Sequence, residues 1–379
     1  MKIWSSLCLA LALLAFAAAL CALVQAPTLA IFRLAVGVTE FGHWLFLVPV
    51  LLACIVPRDG WRTAMTRLFA SAAAGLCLLS AVRGQLFAST LPGLMAPAFP
   101  RQEERATQPF SWRKLWVSPA LEPVPVETLS FSEHDGAKLF LRFYRSHTRT
   151  SAPCVLVIHG GGWENGSPDE FVAFNHHLAR AGYAVAALQY RFAPRWPWPA
   201  QRDDVLEALR FLESRAQTLG IDPTQFVLLG RSAGGQIAES VAYGAHDSAI
   251  RGCIAFYAPA DMHFSYEFAR DDDILSSPKV VRQFMGGTPE EARASYDSAS
   301  PILLASASSP PTLLLHGQRD ELVWYLQSHR LARRLQELGV PHCFVHLPWA
   351  THAFDFNLYG PGGQISTYAV DRFLRNVTR

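Results

Sequence analysis

The fold is decided by the stretch Phe226-Val227-Leu228-Leu229-Gly230-Arg231-Ser232-Ala233-Gly234, in which an apolar strand runs directly into a serine flanked by glycines. A helix is expected to begin near Gly235. Such a sharp strand-to-helix turn exposes the serine hydroxyl, and a Cβ two positions to either side would collide with the backbone. The G-x-S-x-G pattern alone is weakly specific, but its position between a strand and a helix predicts a nucleophile elbow with Ser232 at its apex.

A glycine loop follows an earlier buried strand. The apolar, β-branched run at 154–158 leads into His159-Gly160-Gly161-Gly162-Trp163. Consecutive glycines let backbone N–H groups approach a ligand with no side chain in the way, which is what an oxyanion hole requires. We therefore expect the N–H groups of Gly161, Gly162 and Ala233 to form that hole.

Two further strands each end beside a residue suited to proton transfer. The run at 312–317 is followed by Asp320, and the run at 342–347 is followed by a loop that holds His352. The chain order is therefore Ser232, Asp320, His352, which is the order of a catalytic triad in α/β-hydrolases. This combination is highly specific.

Each of these assignments has competitors. Glu321 or Asp297 could be the acid, and we favour Asp320 because it lies three residues past the His-Gly that ends its strand. His346 could be the base, but it sits inside a strand, whereas functional residues concentrate on loops. His159, at the start of the glycine loop, is expected to be structural, its ring bonding nearby backbone.

From about Pro123 to its C-terminus, the chain resembles bacterial carboxylesterases of the hormone-sensitive-lipase and feruloyl-esterase-like branch of the α/β-hydrolases. Besides the elbow and the glycine loop, the resemblance rests on further segments, which include Tyr190-Arg191-Phe192-Ala193-Pro194, Trp198-Pro199-Ala200, Asp203-Asp204-Val205, Gly220-Ile221-Asp222-Pro223, Met285-Gly286-Gly287-Thr288 and Ala299-Ser300-Pro301-Ile302. It implies a serine carboxylesterase or lipase that works through an acyl-enzyme, without a metal or organic cofactor.

The resemblance leaves some points open. Arg231 stands in the elbow where such esterases more often have an acidic or neutral polar residue, and Ala353 follows the catalytic histidine where glycine is common. Trp163, Glu164 and Arg231 are candidates for contacting the substrate. An amidase or peptidase would use the same triad, whereas a catalytically silent interaction domain has no physical reason to keep all of these groups.

The order of strands and helices predicts the architecture of residues 123–379. Two antiparallel strands come first, and from residue 154 strands alternate with helices, which predicts a doubly wound, mostly parallel α/β sheet of the α/β-hydrolase type. Residues 259–310 break this alternation and are rich in aromatic residues. We expect them to form a lid-like insertion over the active site.

Three apolar stretches, at about 3–24, 34–56 and 68–94, predict that residues 1–94 are a membrane anchor of three helices. A cleaved signal peptide fits less well, because the first apolar stretch is longer than the usual roughly 7–15 residues and no clean cleavage site follows it. Residues 95–122 contain several prolines and alternating charges, which predicts a linker with little regular structure.

Basic residues suggest an orientation for this anchor. Lys2 precedes the first stretch, and Arg58, Arg62 and Arg67 lie between the second and third, which places both positions in the cytoplasm by the positive-inside rule. The catalytic domain would then lie on the outer side of a bacterial inner membrane.

Ionisable residues within the apolar stretches are expected to pair inside the helix bundle. Glu40 with Arg83 is the plainest pair, and His43 lies on the same helical face as Glu40.

The net charge of +2 is spread along the chain, so a nucleic-acid partner is not expected. No Cys or His spacing typical of a metal site occurs. The expected partners are a small-molecule or lipid ester and the membrane.

Overall fold

The computed structural model describes residues 2–24, 26–58, 60–101 and 108–378. The chain begins with a helical part: α1 (Lys2–Leu20), α2 (Leu29–Leu45), α3 (Leu47–Ile55), α4 (Gly60–Ala88), α5 (Leu91–Met95) and α6 (Trp112–Trp116). The remainder mixes strands and helices: β1 (Val126–His134), β2 (Ala137–Tyr144), β3 (Ala152–Ile158), α7 (Val172–Arg180), β4 (Ala184–Leu188), α8 (Ala200–Ser214), α9 (Ala216–Leu219), β5 (Ile221–Arg231), α10 (Ala233–Gly244), β6 (Ile250–Phe256), α11 (Met262–Glu267), α12 (Ser277–Met285), α13 (Arg293–Ser298), α14 (Pro301–Leu304), β7 (Thr312–Gly317), α15 (Leu326–Glu337), β8 (His342–Leu347) and α16 (Pro361–Val377).

The strands form one eight-stranded sheet in the order β1-β2-β4-β3-β5-β6-β7-β8. β2 pairs antiparallel with both β1 and β4, and all the other neighbours are parallel. Every residue of β3 is buried, as expected for a central strand of a parallel sheet with both faces covered. The predicted mostly parallel sheet is confirmed.

The sheet separates two apolar cores. Alternate residues of β3 face opposite ways, so that Leu156 packs in one core and Val157 in the other. The first core includes the inner faces of α8 and α10, and the second includes those of α7 and α16. Helices therefore cover both faces, and the carboxyl ends of the parallel strands meet at one edge.

In the described parts of the predicted linker, residues 95–101 and 108–122, several side chains pack into the protein core. Met95 and Phe99 are buried in the second core, where the Phe99 ring packs at 4.9 Å against the ring of Phe373. The Arg372 side chain donates hydrogen bonds to the backbone carbonyls of Pro92 and Phe99. The prolines and charges of this segment predicted a linker, but its widely spaced apolar residues pack on one face of the sheet. Residues 102–107 lie outside the described part of the chain.

Two helices, α1 and α4, are long and apolar enough to cross a membrane, and a third crossing is possible if α2 and α3 count as one span. The predicted stretch 34–56 is broken near Phe46, where α2 and α3 meet at a bend of 55°. The predicted third span, 68–94, corresponds to α4 and α5, so that it begins at Gly60 and its continuous helix ends at Ala88.

The helices α1 and α4 run side by side in the same direction. The ring of Phe16 packs at 5.4 Å from that of Phe69. Just beyond the end of α1, the carbonyl of Ala22 accepts a hydrogen bond from Arg319, which lies close enough to Arg83, near the end of α4, for the two charges to repel each other. Both helices therefore end at the sheet-containing part of the chain.

The predicted ion pair between Glu40 and Arg83 is wrong for the part of the chain that the structure describes. The carboxylate of Glu40 instead accepts a hydrogen bond from the N–H of Gly362 in the first turn of α16, at 3.2 Å. Asn357 Nδ2 also donates to the Glu40 carbonyl. Since α2 packs against the C-terminal helix, Glu40 finds its partner outside the helix bundle.

Candidate active site

Ser232 lies between the last residue of β5 and the first of α10, with φ 53° and ψ −123°. A Cβ on Gly230 would lie 2.0 Å from the carbonyl oxygen of Gly234, and one on Gly234 would lie 2.2 Å from that of Ile158. A larger residue at either position would clash with the backbone, so the structure requires both glycines of the motif. A strained backbone of this kind is typical of functional sites.

The glycine loop lies directly against this serine. A Cβ on Gly160 would lie 3.3 Å from the Cβ of Ser232, and Gly161 and Gly162 have φ values of 107° and 61° that favour glycine. Such a loop brings its backbone N–H groups close to the serine with no side chain between them.

His159 holds the base of the loop. Its Nδ1 donates a hydrogen bond to the carbonyl of Gly160 at 2.7 Å, and its ring stacks on that of Tyr190 at 4.3 Å. The Tyr190 hydroxyl donates to the His159 carbonyl. Burial lowers the pKa of His159 to about 4. This histidine is therefore structural, as predicted.

Asp320 and His352 form an acid–base contact at the site. His352 Nδ1 donates to Asp320 Oδ2 at 2.7 Å, while Asp320 Oδ1 accepts from the N–H groups of Leu322 and Val323. Burial on its own raises the pKa of Asp320, but His352 and His316 outweigh it and leave this pKa below its usual range. The carboxylate is thus ionised and positioned to orient the imidazole.

His316 is a contact that the sequence reasoning missed. Its Nε2 lies 3.2 Å from Asp320 Oδ2, and its Nδ1 lies 2.7 Å from Ser328 Oγ. The His-Gly at the end of β7 could have predicted this contact, because it places a second imidazole four residues before Asp320.

Ser232, Asp320 and His352 line one cavity of about 940 Å³. Among the described residues, no hydrogen bond joins Ser232 Oγ to His352. Bonds of this kind are often long before substrate binds and tighten only in the reacting complex. The three side chains therefore share a site without yet forming a continuous relay.

The other residues predicted to contact the substrate or its oxyanion differ in how they border the cavity. Gly161, Gly162 and Ala233 line it, as do Trp163 and Glu164. The indole of Trp163 is buried, donates to Gln236 Oε1 at 2.9 Å and stacks on Phe284, so it forms a wall rather than a mobile contact.

Arg231, a predicted candidate for contacting the substrate, also lines the cavity, but its side chain is held inside the protein. It is 2% exposed, and its Nε donates to Asp355 Oδ2 at 2.6 Å. Its guanidinium also lies over the ring of Phe171, 3.9 Å from the centroid. The residue before the serine therefore points into the protein, where it pairs with a carboxylate.

The competing acids and base are occupied elsewhere. Asp297 Oδ1 pairs with His263 Nε2 at 2.7 Å, outside the cavity. Glu321 borders the cavity, but its Oε1 accepts a hydrogen bond from the N–H of Ala26. His346, the second-last residue of β8, stacks on the ring of Tyr325.

The segment 259–310 contributes part of the cavity wall. It contains the four helices α11 to α14, and Phe264, Phe268 and Val280 from this segment line the cavity. The segment predicted to form a lid thus shares the cavity wall with Ser232.

One triplet of side chains, His134, Asp204 and Glu207, has ligand atoms close enough together to hold a metal ion. Its groups already have partners, because His134 bonds Glu207 at 2.8 Å and Asp204 pairs with Arg191. This triplet braces the loop after β4, and it does not border the cavity.

The comparisons with known proteins indicate the family to which the chain belongs. The BD-FAE family profile matches residues 142–335. An ethyl acetate hydrolase of Pseudomonas putida is 30% identical over 282 residues, which cover 69% of this chain and 86% of that protein. The probable carboxylic ester hydrolase LipM of Mycobacterium tuberculosis is 30% identical over 244 residues, which cover 60% of this chain. That match spans only 55% of LipM.

Among solved structures, carboxyl esterase 2 of the fungus Tuber melanosporum has a TM-score of 0.58 and is 21% identical, with 69% of this chain and 90% of that chain covered. An arylesterase also has a TM-score of 0.58, covering 78% of this chain and 93% of its own. At such low identity these likenesses show the fold.

Proposed function

Because the chain belongs to the BD-FAE family of α/β-hydrolase esterases, we propose that this hydrolase cleaves carboxylic esters through a Ser-His-Asp triad and an acyl-enzyme. Ser232 is the nucleophile, His352 the general base and Asp320 the group that orients the imidazole. The observation that carries the proposal is the 2.7 Å bond from His352 to Asp320 in the cavity that Ser232 also lines.

Each step follows from what these groups can do. A serine hydroxyl is a weak nucleophile at neutral pH, so His352 accepts its proton as Ser232 attacks the acyl carbon. Asp320 stabilises the resulting imidazolium. His352 then returns the proton to the leaving alcohol, and a water molecule, deprotonated in turn by His352, hydrolyses the acyl-enzyme.

The tetrahedral intermediate carries its negative charge on the former carbonyl oxygen. The N–H of Ala233, the residue after the nucleophile, and the N–H groups of Gly161 and Gly162 are the proposed donors to it. Removing one such donor typically costs about 2.7–4 kcal/mol of transition-state stabilisation. Backbone donors of this kind need no metal or organic cofactor.

The chemistry is tested by labelling the full chain with a fluorophosphonate and by assaying p-nitrophenyl esters beside the matched p-nitroanilides. Labelling together with faster ester hydrolysis supports the proposal. Faster cleavage of the anilides would indicate an amidase or peptidase with the same triad, and absence of both labelling and turnover would indicate a silent interaction domain.

We also propose that α1 and α4 anchor the protein in a bacterial inner membrane. Since both helices run toward the catalytic part, Lys2 and Arg62 near their starts lie at the opposite end. The positive-inside rule then places that end in the cytoplasm and the catalytic part outside. A small-molecule or lipid ester would be met on that outer side.

A further inference from the structure

The mouth of the cavity has an exposed aromatic rim. Phe268, Trp324 and Phe356 line the cavity, and they are 53%, 48% and 65% exposed. The rings of Phe268 and Trp324 pack together at 6.0 Å. Large aromatic side chains grouped on a surface in this way mark a site of binding to a partner or a membrane.

This rim lies beside the connection between α1 and α2. The N–H of Ala26 in that connection donates to Glu321 Oε1 at 2.8 Å, and the Ala22 carbonyl accepts from Arg319. Glu321 itself lines the cavity, three residues before Trp324. The connection that follows the candidate membrane span α1 is therefore hydrogen-bonded to the wall of the cavity.

Apolar surface continues from this attachment along the helices. On α2, Leu29 and Leu34 are exposed within the first two turns, and on α4 the large side chains of Val82 and Leu86 are exposed near its end. These positions belong to the same end of the bundle as the α1–α2 connection. The exposed apolar side chains of these helices therefore begin at the end of the bundle that is attached to the cavity wall.

We propose that the cavity opens at the surface of the membrane that holds α1 and α4, and that it takes ester lipids directly from that leaflet. The occupant of the aromatic rim is the lipid surface itself. This inference rests on the proposed ester hydrolysis. Water adds across the acyl–oxygen bond of the lipid, releasing a carboxylate, a proton and the alcohol.

The physical advantage is that the acyl chain never crosses open water. Each methylene that leaves the bilayer adds to the free energy of transfer, so a long-chain ester reaches a distant site only rarely. A mouth at the interface removes that barrier, and a cavity of about 940 Å³ is near the upper end of the range for small-molecule sites, roughly 300–1,000 Å³.

The test uses the full chain reconstituted in phosphatidylcholine vesicles that contain a long-chain diacylglycerol, with p-nitrophenyl acetate as the soluble ester. We expect the double variant Phe268→Ser, Trp324→Ser to lower the ratio of diacylglycerol hydrolysis to acetate hydrolysis at least tenfold. The matched control is Leu303→Ser on α14, which is 58% exposed but lies outside the cavity lining. This control should keep the ratio of the unmodified chain.

The outcomes separate the two proposals. An unmodified chain that hydrolyses neither ester would overturn the proposed function. Hydrolysis of the acetate without hydrolysis of the diacylglycerol, or an equal loss of both in the double variant, would overturn the lipid inference alone.

A second measurement is independent of turnover. In a Cys54→Ser background, a fluorophore on Phe268→Cys should be quenched by spin-labelled lipid in the vesicles, whereas one on Leu303→Cys should not. Equal quenching at both positions, or none at either, would contradict a mouth held at the membrane surface.

Discussion

Arg231 and Asp355 form an ion pair in which Nε and Oδ2 lie 2.6 Å apart and each side chain is only 2% exposed. Arg231 immediately precedes the proposed nucleophile, and Asp355 follows the proposed base by three residues. The hydroxyl of Tyr257 donates to the other oxygen of Asp355, and its ring lies 4.3 Å from that of His352. The pair therefore joins the elbow to the histidine loop.

Replacing Arg231 with methionine should lower the free energy of unfolding by about 3–5 kcal/mol, because Asp355 is left buried without its cation. Denaturant unfolding of the protein in detergent measures this change. The double variant Arg231→Met, Asp355→Leu should regain most of the loss, since no charge then remains unpaired. A single variant as stable as the unmodified chain would show that the pair is not coupled as described.

Ser232→Ala should reduce ester hydrolysis to background and abolish fluorophosphonate labelling while leaving the unfolding transition unchanged. The hydroxyl lies at a turn that lines the cavity, where it contributes chemistry rather than packing. Turnover of p-nitrophenyl butyrate provides the measurement. Activity above a few per cent of the unmodified level would mean that another serine is the nucleophile.

Asp320→Asn should lower kcat by roughly 10⁴-fold, because an amide favours the wrong histidine tautomer. Glu321→Gln is the matched neighbour, and its amide oxygen can still accept the hydrogen bond from Ala26, so kcat should change less than tenfold. Steady-state kinetics on one soluble ester compare the two variants. The reverse ranking would move the acid by one residue.

His159 predicts a pH dependence of stability. Burial lowers its pKa to about 4, whereas in the unfolded chain the ring titrates near the usual value of about 6.5. Between these values the unfolded state binds more protons, so the free energy of unfolding should fall as the pH is lowered, by roughly 3 kcal/mol in total. His159→Asn should make the free energy of unfolding less dependent on pH, because the difference in bound protons between the unfolded and folded states falls by up to one. Equal slopes for the two proteins would contradict the assignment.

The proposed orientation predicts the behaviour of C-terminal fusions in bacteria. An alkaline phosphatase fusion should be active and a β-galactosidase fusion inactive, because the positively charged ends of α1 and α4 stay in the cytoplasm. The opposite result would place the catalytic part inside. Release of a soluble protein with a new N-terminus near residue 30 would exclude the anchor.

The sequence predicted the features whose chemistry is local. The glycines around Ser232 are dictated by contacts within a few residues or with the next strand, and a continuous apolar run such as β3 is typical of a buried parallel strand. The loop positions of Asp320 and His352 followed from where their strands end. Such features carry their own signal in the order of residues.

The partners that lie far apart in the chain could not be predicted in this way. Asp355 lies 124 residues from Arg231, and Gly362 lies 322 residues from Glu40. No periodicity or motif in the sequence predicts either contact. The burial of Phe99 could not be predicted for a related reason. It is a single apolar residue among prolines, and the sequence around it does not indicate which core it packs in.

The contact between α4 and α16 has a consequence for how the protein is made. Ala81 and Ala88 of α4 pack in the same core as Phe373 of α16, and Gly84 lies close to Pro361. At about 5–20 residues per second, a ribosome needs roughly 15–60 s to proceed from α4 to α16. Throughout that interval, this face of α4 lacks the α16 residues against which it packs in the folded protein.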